Sequence, residues 1–108
     1  MNLKMRQATE KKTISKMDWL FVSLPMISCL HGIRTSKYAK LLTRKSCYKI
    51  EKENLELIEF ATRYHDIGKL TIPLKILMSP DELNDADKEK MRRHASEGWK
   101  IIEKLIDM

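Results

Sequence analysis

From Met17 onward the apolar residues of this 108-residue chain recur at helical spacing, in segments parted by polar connections, and nowhere alternate as a half-buried strand would. An all-α fold follows. Residues 17–30 carry Trp19, Leu20, Phe21, Val22, Leu24, Met26, Ile27 and Leu30 almost all round the helix, which predicts burial on several sides. Residues 33–44 set Tyr38, Leu41 and Leu42 against Arg34, Lys37, Lys40 and Arg44, an amphipathic pattern that His31 and Gly32 open. The apolar positions of residues 53–64 wrap widely, as expected of the centre of a bundle. Between Gly68 and Leu83 the periodicity lapses around Pro73 and Pro80, so a loop is expected there, with one helical turn at residues 74–78. Asn84 reads as an N-cap, with Asp85 and Asp87 in the first turn of a helix running to about His94. Residues 95–98 read as a bend, and residues 99–106 as a last helix with Ile101, Ile102, Leu105 and Ile106 inward.

The expectation is a compact bundle of about five helices over residues 17–108. Residues 1–16, polar and without a sustained apolar stripe, read as an arm that frays. With 43% hydrophobic and 33% charged residues, the chain falls among globular domains and outside the disordered class. Its net charge of +6 attracts anions of many kinds, but without aromatic interleaving it points to no specific nucleic acid. The apolar run of residues 19–30 is too short to span a bilayer and is interrupted by Pro25, so no membrane is expected. Cys29 and Cys47 lack any Cys-x-x-Cys spacing and read as reduced thiols of a cytoplasmic protein.

Chemistry concentrates at His65-Asp66-Ile67-Gly68-Lys69, where the central apolar helix ends. An imidazole and a carboxylate on adjacent residues can share one divalent cation, and the second carboxylate oxygen remains free to reach another. The two other histidines, His31 and His94, lie on the flanking helical segments. His31, His65, Asp66 and His94 are therefore the candidate metal ligands, in a mixture of donors that suits Zn, Mn, Fe or Ni rather than an all-oxygen calcium cage. Lys69 is the candidate for neutralising a phosphate held there, and Gly68 would let the backbone turn between them. Each piece alone is commonplace; the ordered set is not.

The stretch from His65-Asp66-Ile67-Gly68-Lys69-Leu70-Thr71-Ile72-Pro73, through Ile76-Leu77, to Met91-Arg92-Arg93-His94 and Gly98 closely resembles the HD-GYP branch of the HD superfamily of metal-dependent phosphohydrolases. His31, followed by Arg34, Tyr38 and Ala39, resembles that branch's first histidine motif. The resemblance covers about residues 30–105 and implies an all-helical domain that hydrolyses cyclic di-GMP at a two- or three-metal centre. It implies that His31, His65 and Asp66 ligate a first metal, that Asp66 bridges to a second held by His94, and that Lys69 contacts substrate phosphate. Ile27 stands where some three-metal members have a carboxylate, so a third metal is not expected.

The paired-histidine motif, the Gly-Tyr-Pro motif and the late aspartate of that branch have no counterpart before Met108, and Asp107 is a poor substitute at a terminal helix end. A domain truncated at its C-terminus is expected. Two functional readings follow: a cyclic di-GMP phosphodiesterase or a weakly active relative acting on a phosphate ester, and a non-catalytic helical regulatory or interaction module. Self-association into a homo-oligomer is compatible with either.

Overall fold

A computed structural model describes residues 3–46 and 49–108, so Cys47 lies outside the described residues. The described residues form helices and connections with no strand, as the periodicity requires. In chain order the α-helices are α1 (Leu3–Ala8), α2 (Lys11–Phe21), α3 (Met26–Lys45), α4 (Lys52–Arg63), α5 (Leu74–Leu77), α6 (Asp85–Arg92) and α7 (His94–Ile106). A 3-10 turn, Ile67–Thr71, lies between α4 and α5. Among the described residues no helix is long and apolar enough to cross a membrane.

Among the described residues there are seven α-helices where about five were expected, and the added ones have local causes. The N-terminal residues do not fray where they are described: α1 packs on α7, and Ala8 and Thr13 are buried. Their apolar side chains are too few to make a stripe, yet Ala8 and Met17 fit against Ile102 and Ile106 in one cluster. The run of residues 17–30 is two helix ends rather than one buried helix. Pro25 has no N–H to donate and disfavours helical backbone in the residue before it, so α2 stops at Phe21 and α3 starts anew. Met17, Phe21 and Leu24 enter the core, whereas Trp19, Val22, Met26 and Ile27 stay largely exposed. Cys29 ties the turn together by donating its thiol to Phe21 O at 3.1 Å, and burial pushes that thiol's pKa up.

The helix α3 passes through His31 and Gly32 without a break. Its inward side is not the apolar face of Tyr38, Leu41 and Leu42, which are exposed, but the small residues Gly32 and Ser36. A Cβ on Gly32 would sit 2.4 Å from Arg63 O, and Ser36 Oγ donates to Glu59 O at 3.4 Å. Small side chains let α3 lie close along α4, the most extensive helix pairing among the described residues.

The expected bend at residues 95–98 is instead the first turn of α7. Gly98 does not break that helix; it faces Gly68 across the contact between α7 and the 3-10 turn. The turn at residues 74–78 and the Asn84 cap appear as anticipated, with Asn84 Oδ1 accepting from the Asp87 N–H at 2.8 Å. The core lies between α2, α4, the 3-10 turn and α7, and is built on Met17, Phe21, Phe60, Tyr64, Ile67, Ile102 and Ile106.

Candidate metal centre

Asp66 sits between the end of α4 and the 3-10 turn, 7% exposed. A carboxylate so buried needs partners. It has four. His31 Nε2 from α3 is 3.8 Å from Asp66 Oδ2, and His65 Nε2 is 3.2 Å from the same oxygen. Lys69 Nζ reaches Oδ2 at 3.3 Å across the 3-10 turn. His94 Nε2, at the start of α7, lies 3.2 Å from the other oxygen, Oδ1. All five sequence-predicted residues thus meet at one carboxylate. The three imidazoles are divided between its two oxygens.

Two glycines set these approaches. On Gly68 a Cβ would fall 1.7 Å from His94 O and 2.6 Å from Gly98 N, so only a hydrogen allows α7 to bring His94 to Asp66. No described glycine has positive φ. The need at Gly68 is therefore space, and the sharp turn anticipated from sequence is not its reason.

The hydrogen bonds of the rings fix their chemistry. His65 Nδ1 lies 2.7 Å from Thr62 O, and His94 Nδ1 lies 2.5 Å from Met91 O. A carbonyl oxygen only accepts, so each Nδ1 carries a proton and each Nε2 faces Asp66 with a lone pair or a second proton. Two acceptors 3.2 Å apart repel unless a positive charge lies between them. Bond lengths of roughly 2.0–2.2 Å would set neighbouring donors of one cation about 3 to 3.5 Å apart, which is the spacing of His65 and Asp66. His31, His65 and Asp66 each present a donor atom within 4.8 Å of the others, and the rings of His31 and His65 stand edge to face at 5.0 Å. The donor set fits a divalent cation, with backbone carbonyls orienting two of the ligands from behind.

One supporting pair escaped the sequence reading. Tyr64, immediately before the His-Asp pair, donates its hydroxyl to Asp18 Oδ1 at 2.5 Å and packs edge to face with Phe21 and Phe60. Burial, and then the Asp18 carboxylate, drive its phenol pKa upward. The bond anchors the end of α4 to α2. Nothing in the spacing of Asp18 and Tyr64 announces it, because they are joined only by the packing of two helices. Asp107, by contrast, is remote from the histidines in its pairing: its carboxylate lies 4.0 Å from Lys4 Nζ at the far end of α7.

Comparison with known proteins gives a consistent picture. Over 53 residues, 49% of this chain and 14% of the relative, the sequence is 32% identical to the cyclic di-GMP phosphodiesterase response regulator RpfG of Xanthomonas campestris. Over 45 residues, 42% of this chain and 12% of the relative, it is 42% identical to a cyclic di-GMP phosphodiesterase of Thermotoga maritima. The chain therefore matches only a small part of each relative's length. No solved structure gives a significant match. The HD domain model matches residues 30–107, a span that contains all three histidines, Asp66 and Lys69, and the chain belongs to the HD domain family.

Proposed function

We propose that this chain is a metal-dependent phosphohydrolase of the HD-GYP type, with cyclic di-GMP or a related phosphodiester as substrate. The observation that carries the reading is the convergence of three imidazole Nε2 atoms and Lys69 on the two oxygens of the buried Asp66 carboxylate. The two relatives named as cyclic di-GMP phosphodiesterases support the choice of substrate.

In this reading His31, His65 and Asp66 would hold one divalent cation of the Fe, Mn, Zn or Ni class, and Asp66 and His94 would contribute to the site of a second. Bound there, the cations supply an acidified water and neutralise charge on a phosphoryl oxygen. Asp66 would serve both positions, since His31 and His65 approach one of its oxygens and His94 the other. His65 and His94 keep their Nε2 lone pairs directed inward because their Nδ1 protons are held by Thr62 O and Met91 O. Lys69 is a point charge at the rim, paired with Asp66 until a phosphate offers its ammonium a better anion. The exposed edge of the His31 ring leaves the site open for a substrate to enter.

Elemental analysis of purified protein, with an assay of cyclic di-GMP linearisation in added Mn or Fe, tests the proposal. Bound metal and turnover, both abolished by Asp66→Ala, are expected. Protein that takes up no metal and turns over no phosphodiester overturns it.

A second reading, a non-catalytic regulatory or interaction module, is favoured by the small donor count among the described residues. Three ligands for one cation and two for the other, with Asp66 counted in both, make a loosely held pair. In that case Asp66→Ala leaves partner binding intact.

A further inference from the structure

Asp18 and Phe21 stand three residues apart on α2, and so on one side of that helix. Each touches the immediate neighbour of a candidate ligand. Asp18 Oδ1 accepts the Tyr64 hydroxyl at 2.5 Å, and Tyr64 directly precedes His65 and Asp66. The Phe21 ring lies against Gly32, where a Cβ would come 3.1 Å from Cε2, and Gly32 directly follows His31. A helix outside the cluster of His31, His65 and Asp66 thus braces both segments that carry it.

The backbone at residues 64–66 depends on such a brace. Tyr64 closes α4 by donating its N–H to Phe60 O at 3.1 Å, and its carbonyl accepts from the Ile67 N–H at 3.0 Å. Between these two bonds the chain changes direction: Tyr64 has φ −104° and ψ 14°, and Asp66 has φ −101° and ψ 11°. Neither pair of angles belongs to a regular helix, so the ladder of α4 does not fix the direction in which His65 and Asp66 leave it. The Tyr64 side chain supplies that constraint. It is 4% exposed, and its ring stands edge to face with Phe21 at 5.5 Å and with Phe60 at 4.9 Å. A hydroxyl that donates to a carboxylate makes a charge-assisted bond, roughly twice as strong as a neutral one. The matched family span begins at residue 30, so Asp18 and Phe21 lie outside it.

We infer that α2 is a positioning element for the metal centre: the Asp18–Tyr64 bond, seated beside Phe21, fixes the turn that aims His65 and Asp66 at His31. Asp18 and Tyr64 act through the backbone of the ligand-bearing turn rather than on the cation. The inference rests on the metal-centre reading above and adds that the grip of that centre is set from α2.

Calorimetric titration of the full chain with Mn, together with amide exchange of the metal-free chain, tests it. Tyr64→Phe and Asp18→Ala should each weaken Mn binding about tenfold with circular dichroism unchanged. Combined, they should weaken it no further than either alone, since both cut the same bond. Asp18→Asn, which keeps an acceptor, should stay within about threefold of the wild-type affinity. Ile106→Val removes one core methyl at the other end of α7, costs comparable stability and should leave the affinity unchanged. In the metal-free Tyr64→Phe chain the amides of Ile67 and Lys69 should exchange about tenfold faster, with those of α6 as before. Mn binding indifferent to Tyr64→Phe, losses that add in the double variant, or an equal loss in Ile106→Val overturns the inference. A wild-type chain that takes up no Mn overturns the hydrolase reading instead, and amide exchange then decides alone: faster exchange at Ile67 and Lys69 in Tyr64→Phe upholds the brace, and unaltered exchange overturns it.

Discussion

Asp66 and Gly68, two residues apart, carry opposite burdens: one supplies the charge on which the site is built, the other the emptiness that lets the site close. Gly68→Ala should cost about 3 kcal/mol in urea unfolding, because the new methyl meets the backbone of His94, which cannot rotate away as a side chain would. Gly98→Ala should cost far less. Its Cβ would meet Gly68 N at 3.2 Å, a displacement of a few tenths of an ångström, and alanine recovers roughly 1 kcal/mol of helix propensity. Comparable losses for the two variants would refute the close-approach account. Tyr64→Phe removes the hydrogen bond to a half-buried Asp18 and should lower stability by about 1 kcal/mol. Asp18→Asn, which retains an acceptor, should lose less in the same denaturant titration.

At the scale of elements, α6 depends on its first turn more than on burial, since none of its residues is buried. Asn84→Ala should cost about 1 kcal/mol and appear as faster amide exchange across α6, with α4 protected as before. Uniform acceleration throughout the chain would show that α6 does not open on its own. This cap was legible beforehand because capping is a local affair, complete within Asn84 and the three residues after it. The interruption at Pro25 is local as well, but its effect was hidden by the apolar residues on both sides, which read as one continuous segment. The inward face of α3 was not legible at all. Periodicity marks Tyr38, Leu41 and Leu42 as a face, yet the helix lies on Gly32 and Ser36, because close contact between backbones favours small residues over large ones.

For the molecule as a whole, cation binding and folding should be linked, since the donors come from α3, the α4 end and the start of α7 and meet only when these are packed. Mn or Zn at about a hundredfold over its dissociation constant should add about 2.7 kcal/mol to unfolding free energy. A chelator should remove the gain, and Asp66→Ala should prevent it; an unfolding midpoint indifferent to metal in the wild-type chain would break the link. The sequence alone determined that the chain is helical, which residues are the candidate donors, and that His65 and Asp66 leave the end of a helix, because periodicity, donor type and adjacency are properties of nearby residues. Only the tertiary structure decided that α1 and α2 belong to the core, that His31 and His94 reach different oxygens of one carboxylate, and that α3 lies on Gly32 and Ser36 rather than on Tyr38, Leu41 and Leu42. Those outcomes depend on which helices approach one another and how closely, and such distances are set by side chains far apart in the chain, glycines above all.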